Sequence, residues 1–420
     1  MIKVGILGVG TVGESVAKIL LENADIIEAR AGRRIVPVLG AVRDLSKKRG
    51  VGIPLTDNPL ELIESADVDI VVELMGGVEE PYRLVRKALE QKKPVVTANK
   101  ALLAYHRYEL QELAGSTPLY YEASVAGGIP IIGALRNGLS ANHIESIEGI
   151  MNGTCNYMLT KMIQEGVEYE AVLREAQELG YAEADPTFDV GGFDAAHKLL
   201  ILGSIAYGID AKPEDIIIEG IEEISPTDVE FAREFGYEIK LLGIAKKVET
   251  GVEMRVHATM IPATSMIAKV DGVMNAVSVV GDRVGETMFY GPGAGGEATA
   301  SAVIADIIEI VRGNSGPMLG YKKGLESGMR LVPPEEIQSQ YYLKLKVVDR
   351  PGVLAAVTST LGSHGISVES MLQKPSRLAD RVRLLFTTHL CRESEMKAAI
   401  EALKNLDVVD DHVTMIRIEK

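Results

Sequence analysis

The chain of 420 residues has no tryptophan, only two cysteines and no apolar run long enough to span a lipid bilayer. Cys155 and Cys391 lie far apart in the sequence. They therefore offer neither a disulfide framework nor a thiol metal site, and a reducing cytoplasm is the expected location. Lys3 is followed by a strand pattern broken by glycine, which does not match a secretory signal. The formal charge of −15 argues against nucleic acids and anionic membranes as partners.

The residues that are present are ordinary for a soluble globular enzyme. Hydrophobic residues make up 46% of the chain and charged residues 25%. The length is sufficient for about two to four domains with a large core. Because the overall charge is negative, any site for a phosphate group must be built locally.

The most informative motif lies at the start of the chain, where an apolar strand pattern leads through a glycine turn into a helix. Gly8 permits a tight turn, Gly10 lets the backbone approach a pyrophosphate, and Gly13 lets the helix pack closely on the strand. The first N–H groups of the helix favour phosphate. The motif predicts dinucleotide binding rather than an ordinary structural turn, with these candidate contacts: Gly8, Gly10, Thr11, Val12 and Gly13.

Strand patterns at 33–43, 69–74, 94–97 and 118–122 alternate with helical stretches such as 82–91. This alternation predicts an α/β fold with a Rossmann-type, doubly wound parallel sheet that closes near residue 130. Arg43 ends the second strand, where folds specific for NAD usually place an acid against the ribose 2′-hydroxyl. A basic residue there accommodates a 2′-phosphate, so NADP is the preferred cofactor, while the neighbouring Asp44 keeps NAD open.

The middle of the chain has a different pattern. A strand at 144–150 suits an antiparallel or mixed sheet, and helices are predicted at 157–165, 169–179 and 194–207. Gly295 and Gly296 precede a further helix at 297–312, in the manner of the first glycine turn. The last eighty residues form a unit of their own with the order βαββαβ, the ferredoxin-like plan.

Several short segments resemble the homoserine dehydrogenase family that carries a C-terminal ACT domain. They are Asn99-Lys100, the segment ASVAGGIP at 123–130, NGTCNY at 152–157, EADP at 183–186 and DAAHK at 194–198. The resemblance extends over essentially the whole chain. It implies oxidation of L-homoserine to L-aspartate 4-semialdehyde with NAD(P), or the reverse reduction, in the biosynthesis of threonine, methionine and isoleucine.

Asp194 and Lys198 are four residues apart on a predicted helix and therefore share a face. An exposed helical ion pair is the simplest interpretation, but the apolar run at 199–205 predicts that this helix is buried. Burial lowers the pKa of a lysine, which suits proton transfer at an alcohol or carbonyl oxygen. The resemblance makes Lys198 the acid/base and Asp194 its substrate-binding partner. Lys100, past the end of the fourth strand, is the rival for proton transfer and a candidate contact of the nicotinamide.

The resemblance also supplies candidates that the pattern alone does not assign. Glu183 and, more weakly, Asp189 lie in an acidic loop that is otherwise read as solvated, and they are candidates for the substrate. The family implies cofactor contact by Gly295 and Gly296. It also implies a monovalent cation, Na⁺, held mostly by carbonyl oxygens of the loop that contains Glu122, Val125, Gly127 and Ile129.

Three parts are therefore expected: a dinucleotide-binding domain at 1–130 completed by about 297–330, an α+β catalytic and dimerisation domain at 131–296, and an ACT regulatory domain at 341–420. The resemblance implies a homodimer or homotetramer and L-threonine as effector at the turn 349–354. Two other interpretations stay open at this point. One is a different amino-acid dehydrogenase of the same build, and the other is a catalytically silent amino-acid sensor.

Overall fold

A computed structural model describes residues 1–314, 316–324, 328–374 and 381–420. The first part of the chain alternates strands and helices as the pattern predicts. The elements are β1 (Ile2–Leu7), α1 (Thr11–Glu22), α2 (Ala24–Ala31), β2 (Ile35–Ala41), β3 (Leu55–Thr56), α3 (Pro59–Glu64), β4 (Ile70–Glu73), α4 (Glu79–Glu90), β5 (Val95–Thr97), α5 (Lys100–Ala114) and β6 (Leu119–Tyr120).

These strands form one parallel sheet with the order β3-β2-β1-β4-β5-β6. The chain crosses from one side of the sheet to the other between β1 and β4, and such a switch point is where open α/β sheets bind ligands. The expected Rossmann-type doubly wound sheet is confirmed. The strand predicted at 118–122 is only two residues long, because the chain turns into a 3₁₀ helix at Glu122–Ser124.

The middle part begins with a short helical stretch and continues into long antiparallel strands. Its elements are α6 (Ile131–Gly133) with a π-helical turn at Ala134–Gly138, β7 (Ile144–Ile150), α7 (Gly153–Glu165), α8 (Tyr169–Glu178), α9 (Thr187–Val190), α10 (Phe193–Tyr207), β8 (Ile217–Ile218), α11 (Pro226–Glu234), β9 (Tyr237–Val248), β10 (Gly251–Pro262), β11 (Met274–Gly281), β12 (Gly285–Pro292) and α12 (Gly296–Val311). Nearly every residue of α10 is buried, which confirms the prediction made from its apolar C-terminal half.

Helix α12 leaves the middle part and packs on the first sheet. Its apolar side chains Ala300, Val303 and Ile307 share a core with Val16 of α1 and Ile6 of β1. The parallel sheet is therefore covered by a helix that follows it by more than a hundred residues in the sequence.

The C-terminal part has the predicted βαββαβ order. Its elements are β13 (Gln338–Val348), α13 (Val353–Ser363), β14 (Val368–Lys374), β15 (Arg381–Thr388), β16 (Cys391–Arg392), α14 (Glu393–Lys404) and β17 (Val409–Ile418). The strand order β17-β13-β15-β14 is that of the ferredoxin-like plan.

This unit also contacts the middle part of the molecule, which the sequence patterns do not predict. Strand β17 pairs in parallel with β10 through Thr259–Arg417 and Met260–Ile418. The ferredoxin-like sheet and the sheet of the middle part thereby become one mixed sheet with the order β12-β11-β7-β9-β10-β17-β13-β15-β14. Local sequence patterns do not report such a contact between distant strands. Within the described ranges, every helix is too short or too polar to traverse a bilayer.

Candidate active site

A cleft of about 680 Å³ opens between the carboxyl ends of β1, β4 and β5 on one side and the start of α10 on the other. From the parallel sheet it is lined by Val12, Met75 and Lys100, and from the middle part by Asp194 and Lys198. The switch point of the parallel sheet thus faces the acid–lysine pair that helical spacing predicts.

The glycine turn has the geometry that a dinucleotide requires. Gly8 has φ +95°, and a Cβ there would lie 2.7 Å from the Leu74 carbonyl oxygen. A Cβ on Gly13 would lie 2.3 Å from the Gly8 carbonyl oxygen, so only glycine lets α1 approach the turn. Gly10 borders open space and caps α1 without a side-chain hydrogen bond, which leaves N–H groups for phosphate.

A second helix begins beside the first. Gly295 lines the cleft with φ +118° and is the residue before α12. A Cβ on Gly296 would meet Ser15 Oγ at 2.8 Å and Thr11 Cγ2 at 3.1 Å. The N-termini of α1 and α12 therefore lie side by side at the edge of the cleft.

The centre of the site is a buried carboxylate between two lysines. Asp194 is 3% exposed. Its Oδ2 accepts a hydrogen bond from Lys198 Nζ at 2.7 Å, and its Oδ1 lies 2.9 Å from Lys100 Nζ. Lys198 Nζ also donates to the Met151 carbonyl oxygen at 2.6 Å. The pair at 194 and 198 is therefore a buried pair within the cleft, and the simpler reading as an exposed helical ion pair is excluded.

The two lysines have opposite pKa shifts. Burial lowers the pKa of Lys198, and the positive charge of Lys100 lowers it further, against the effect of Asp194. Burial by itself lowers the pKa of Lys100, but the carboxylates of Asp194, Asp189 and Glu183 outweigh it and leave that pKa above its ordinary value. Burial alone would raise the pKa of Asp194, yet the two lysines hold it well below its usual range.

Asn152 links the acidic groups of the site. Its side chain caps α7 by accepting from the Cys155 N–H at 2.8 Å. Its Nδ2 donates to Asp189 Oδ1 at 2.8 Å and to Asp194 Oδ2 at 2.9 Å. An Asn before a helix signals a cap in the sequence, but only the fold shows that the same side chain orients two carboxylates.

Other predicted residues lie at the margin of the cleft or away from it. Glu183 is exposed in the loop that leads to α9, outside the described lining of the cleft. Arg43 is exposed two residues past the end of β2. Arg49 donates to the Val9 carbonyl oxygen at 2.8 Å and so holds the loop after β2 against the glycine turn. Cys155 is buried, and burial raises the pKa of its thiol, which suits a packed residue rather than a nucleophile.

The loop predicted to hold a cation is strongly turned. Ala126 and Gly127 both have φ +54°, and Gly127 lines the cleft. The Glu122 carboxylate is buried and accepts from the Ile132 and Gly133 N–H groups at 2.8 and 2.7 Å. Burial raises its pKa. A carboxylate and backbone carbonyl groups are hard oxygen ligands, the type that suits a monovalent cation. The described residues hold no cluster of three or more His, Cys, Asp or Glu side chains suited to a metal ion.

Two further residues near the cleft were not anticipated. Glu73 ends β4, is fully buried and accepts from Thr97 Oγ1 at 2.5 Å and from the Met75 N–H at 2.7 Å. Burial raises the pKa of Glu73 to about 7. Asn275 lines the cleft, and within the described residues its amide has no hydrogen-bond partner.

Three family models match successive parts of the chain. The NAD-binding domain of homoserine dehydrogenase matches residues 8–121, homoserine dehydrogenase itself matches 130–308, and the ACT domain matches 341–408. A homoserine dehydrogenase of Helicobacter pylori is 54% identical over 418 residues, which cover 100% of this chain and 99% of that protein.

The chain belongs to the homoserine dehydrogenase family. A homoserine dehydrogenase of Pseudomonas aeruginosa is 46% identical, over 100% of this chain and 99% of the relative. A crystal structure of a homoserine dehydrogenase from Thiobacillus denitrificans superposes with a TM-score of 0.94 at 46% identity, covering 100% of this chain and 98% of that one. An archaeal homoserine dehydrogenase solved with NADPH has a TM-score of 0.63 at 29% identity, over 73% of this chain and 97% of that one.

Membership of this family makes the protein an oxidoreductase with an NAD-binding domain, a mixed-sheet catalytic domain and a C-terminal ACT domain. The resemblance seen in the short motifs is confirmed over the full chain. The alternative of a silent sensor has no support in the site, since Asp194 contacts both Lys100 and Lys198 there.

Proposed function

We propose that the protein interconverts L-homoserine and L-aspartate 4-semialdehyde in amino-acid biosynthesis, with NADP preferred and with Lys198 as the proton-transferring residue. The main support for this proposal is the pair of hydrogen bonds that Lys198 Nζ donates to Met151 and Asp194 within the cleft. A neutral amine has two N–H groups and one lone pair. The Met151 and Asp194 oxygens accept both N–H groups, so the lone pair is free for the homoserine hydroxyl.

When bound, NAD(P) accepts or supplies the hydride at the alcohol carbon. In the oxidative direction Lys198 Nζ takes the hydroxyl proton, and in the reductive direction it returns a proton to the aldehyde oxygen. Burial lowers the pKa of Lys198 and so increases the share of the neutral amine at a given pH. Asp194 holds Lys198 by a charge-assisted hydrogen bond and thereby fixes the position of Nζ.

Lys100 has a different role in this mechanism. Its pKa is raised, so it stays protonated and places a positive charge beside the reacting oxygen. Its ammonium also lies 5.9 Å from the centre of the Phe188 ring, a cation–π contact that favours the charged form of Lys100. Asp189, which Asn152 fixes, offers its carboxylate to the substrate ammonium, and Glu183 in the adjoining loop is the second candidate for that contact.

The preference for NADP rests on the basic residues beyond β2. Arg43 projects into solvent near the turn that receives the cofactor, and Arg49 holds this loop against Val9. A guanidinium at this place pairs with a 2′-phosphate. The N–H groups at the starts of α1 and α12 bind the phosphates, through Gly10 and Thr11 and through Gly295 and Gly296.

A sodium ion at the turned loop would be held by the Glu122 carboxylate and by carbonyl oxygens of Val125, Gly127 and Ile129. It would offset the buried charge of Glu122, whose two amide contacts leave further lone pairs. The loop joins the parallel sheet to the cleft, so the ion would stabilise the wall of the site.

L-Threonine is the proposed effector, at the turn before α13 of the ACT domain. Gly352 caps α13 with φ +89° and with no side-chain hydrogen bond, which leaves N–H groups for a small carboxylate. We also propose a cytoplasmic homodimer or homotetramer. The outer strand β12 of the mixed sheet exposes Tyr290, with 57% of its surface accessible, which supports pairing between copies.

The test is a spectrophotometric assay with L-aspartate 4-semialdehyde and either NADPH or NADH. We expect reduction with both cofactors and a lower KM for NADPH. Turnover restricted to another amino-acid substrate would refute the proposed reaction, and a lower KM for NADH would refute only the cofactor preference.

A further inference from the structure

An unbroken set of contacts leads from the ACT domain to the turn that carries the catalytic carboxylates. It begins at Arg417 of β17, which is 1% exposed. Its Nη1 donates to Glu219 Oε2 at 2.6 Å and its Nη2 donates to Glu219 Oε1 at 2.9 Å. Its Nε donates to Glu393 Oε2 at 3.0 Å. Glu219 belongs to the catalytic domain, so one ACT side chain holds it through both oxygens.

The backbone around Glu219 is equally constrained. The Glu219 N–H donates to the Val256 carbonyl oxygen at 2.9 Å, and the Ile221 N–H donates to the Val190 carbonyl oxygen at 3.0 Å. A Cβ on Gly220 would lie 2.2 Å from that same Val190 oxygen. A Cβ on Gly192 would lie 3.0 Å from the Glu219 carbonyl oxygen. Segment 219–221 therefore packs directly on the turn at 190–192, with no room for a side chain between them.

That turn sets the position of the reacting groups. Gly192 has φ +86° and is the residue before α10, so its position fixes where the helix starts. Asp189 lies three residues before it, and Asp194 lies two residues after it in the first turn of α10. Lys198 follows one turn later and is bonded to Asp194. A displacement of the 190–192 turn moves all three groups relative to the cofactor side of the cleft.

We infer that Glu219 is a positioning residue of the active site, anchored by Arg417 of the ACT domain. Glu219 touches neither substrate nor cofactor and acts through the 190–192 turn on Asp189 and Asp194. The inference rests on the roles proposed above for those carboxylates and for Lys198. A misplacement of about 1 Å by a distant change can cost up to about 10²-fold in rate, so a smaller shift here gives a measurable loss.

Glu219→Gln tests this with the full-length enzyme. The side chain of Glu219 is 40% exposed and glutamine has the same size, so the variant is expected to fold. We expect kcat/KM for L-homoserine to fall about tenfold, mostly through KM, because the substrate-facing carboxylates shift. The Kd for NADPH should stay within about twofold, because α1 and α12 are not in this set of contacts. Arg417→Lys keeps the positive charge but loses the bidentate contact with Glu219. It should show the same fall in kcat/KM and the same unchanged Kd for NADPH.

Lys344→Gln is the matched control. Lys344 of β13 also joins the ACT domain to the catalytic domain, through Asp228 at 2.7 Å in α11, but it does not contact the 190–192 turn. Its kcat/KM should stay within about twofold of the wild type, while circular dichroism verifies the fold of each variant. Wild-type kinetics in Glu219→Gln, or an equal loss in Lys344→Gln, would overturn the inference. Turnover restricted to another amino-acid substrate would instead refute the proposed function. The comparison between Glu219→Gln and Lys344→Gln, made with the substrate that is turned over, would still decide the role of Glu219.

Discussion

Replacement of Lys198 by methionine is the sharpest test of the proposed chemistry. Methionine fills the buried space with an unbranched apolar side chain and removes the only group we assign to proton transfer. We expect kcat to fall by at least about 100-fold, the lower end for a lost general acid/base. That fall corresponds to about 2.7 kcal/mol in activation free energy. The Kd for the cofactor should change little, because Lys198 lies on the α10 side of the cleft.

The structure indicates that this variant folds. Asp194 keeps its contacts with Lys100 at 2.9 Å and with Asn152 at 2.9 Å, so its charge is not left alone in the core. The Met151 carbonyl oxygen loses its donor at 2.6 Å, at a cost of about 1–3 kcal/mol. A matched control is Lys161→Met. Lys161 forms an i,i+4 pair with Glu165 at 2.8 Å outside the cleft, and its loss should leave kcat within about twofold.

The pH profile gives an independent measure. Because only neutral Lys198 accepts a proton, the rate of homoserine oxidation should rise with pH through the lowered pKa of this lysine and then level off. The reductive direction needs the protonated form and should show the opposite slope. Both slopes should vanish in Lys198→Met. A variant with near-full turnover and an unchanged profile would refute the assignment and transfer the role to Lys100.

Three further changes test other parts of the molecule. Arg43→Ala should raise KM for NADPH about tenfold or more and leave KM for NADH unchanged, as steady-state kinetics will show; equal changes would mean that Arg43 does not contact the 2′-phosphate. Gly352→Asp should weaken inhibition by threonine, because the new carboxylate competes with that of threonine at the start of α13. The uncharged Gly352→Asn should weaken inhibition less. Identical threonine inhibition curves for the two variants would contradict an effector site at this turn. Burial raises the pKa of Glu73 from 4.5 to about 7. The free energy of unfolding of the wild type should therefore fall by up to about 3 kcal/mol as the pH rises from about 4.5 to 7. Denaturant titrations of Glu73→Gln should not show this decrease.

The fold was predictable where local pattern decides it. The glycine turn at Gly8 and Gly13 follows from backbone space, and the buried α10 follows from its apolar run, so both predictions agree with the structure. The strand β3 has only two residues, too few for any periodic signal. The pairing of β17 with β10 depends on contact between residues such as Thr259 and Arg417, which lie far apart in the chain. Sequence patterns report local preference, and they do not report such partners.

The site was predictable in part for the same reason. The spacing of Asp194 and Lys198 indicates a shared helix face, but the contact of Lys100 with the other oxygen of Asp194 arises only when two domains meet. Asn152 could be predicted as a helix cap, whereas its bonds to Asp189 and Asp194 could not. Long-range hydrogen bonds therefore account for the part of the site that the sequence leaves open.

The packing of α12 on the first sheet affects how the protein folds during its synthesis. The apolar side chains Ala300, Val303 and Ile307 complete a core that the first 130 residues begin. A ribosome adds about 5–20 residues per second, so α12 emerges on the order of ten to thirty seconds after that sheet. During this interval Val16 and its neighbours on α1 can pack on β1 residues such as Ile6, but they lack the cover that α12 later provides. The nascent chain therefore carries an incomplete nucleotide-binding core while the catalytic sheet is still being synthesised.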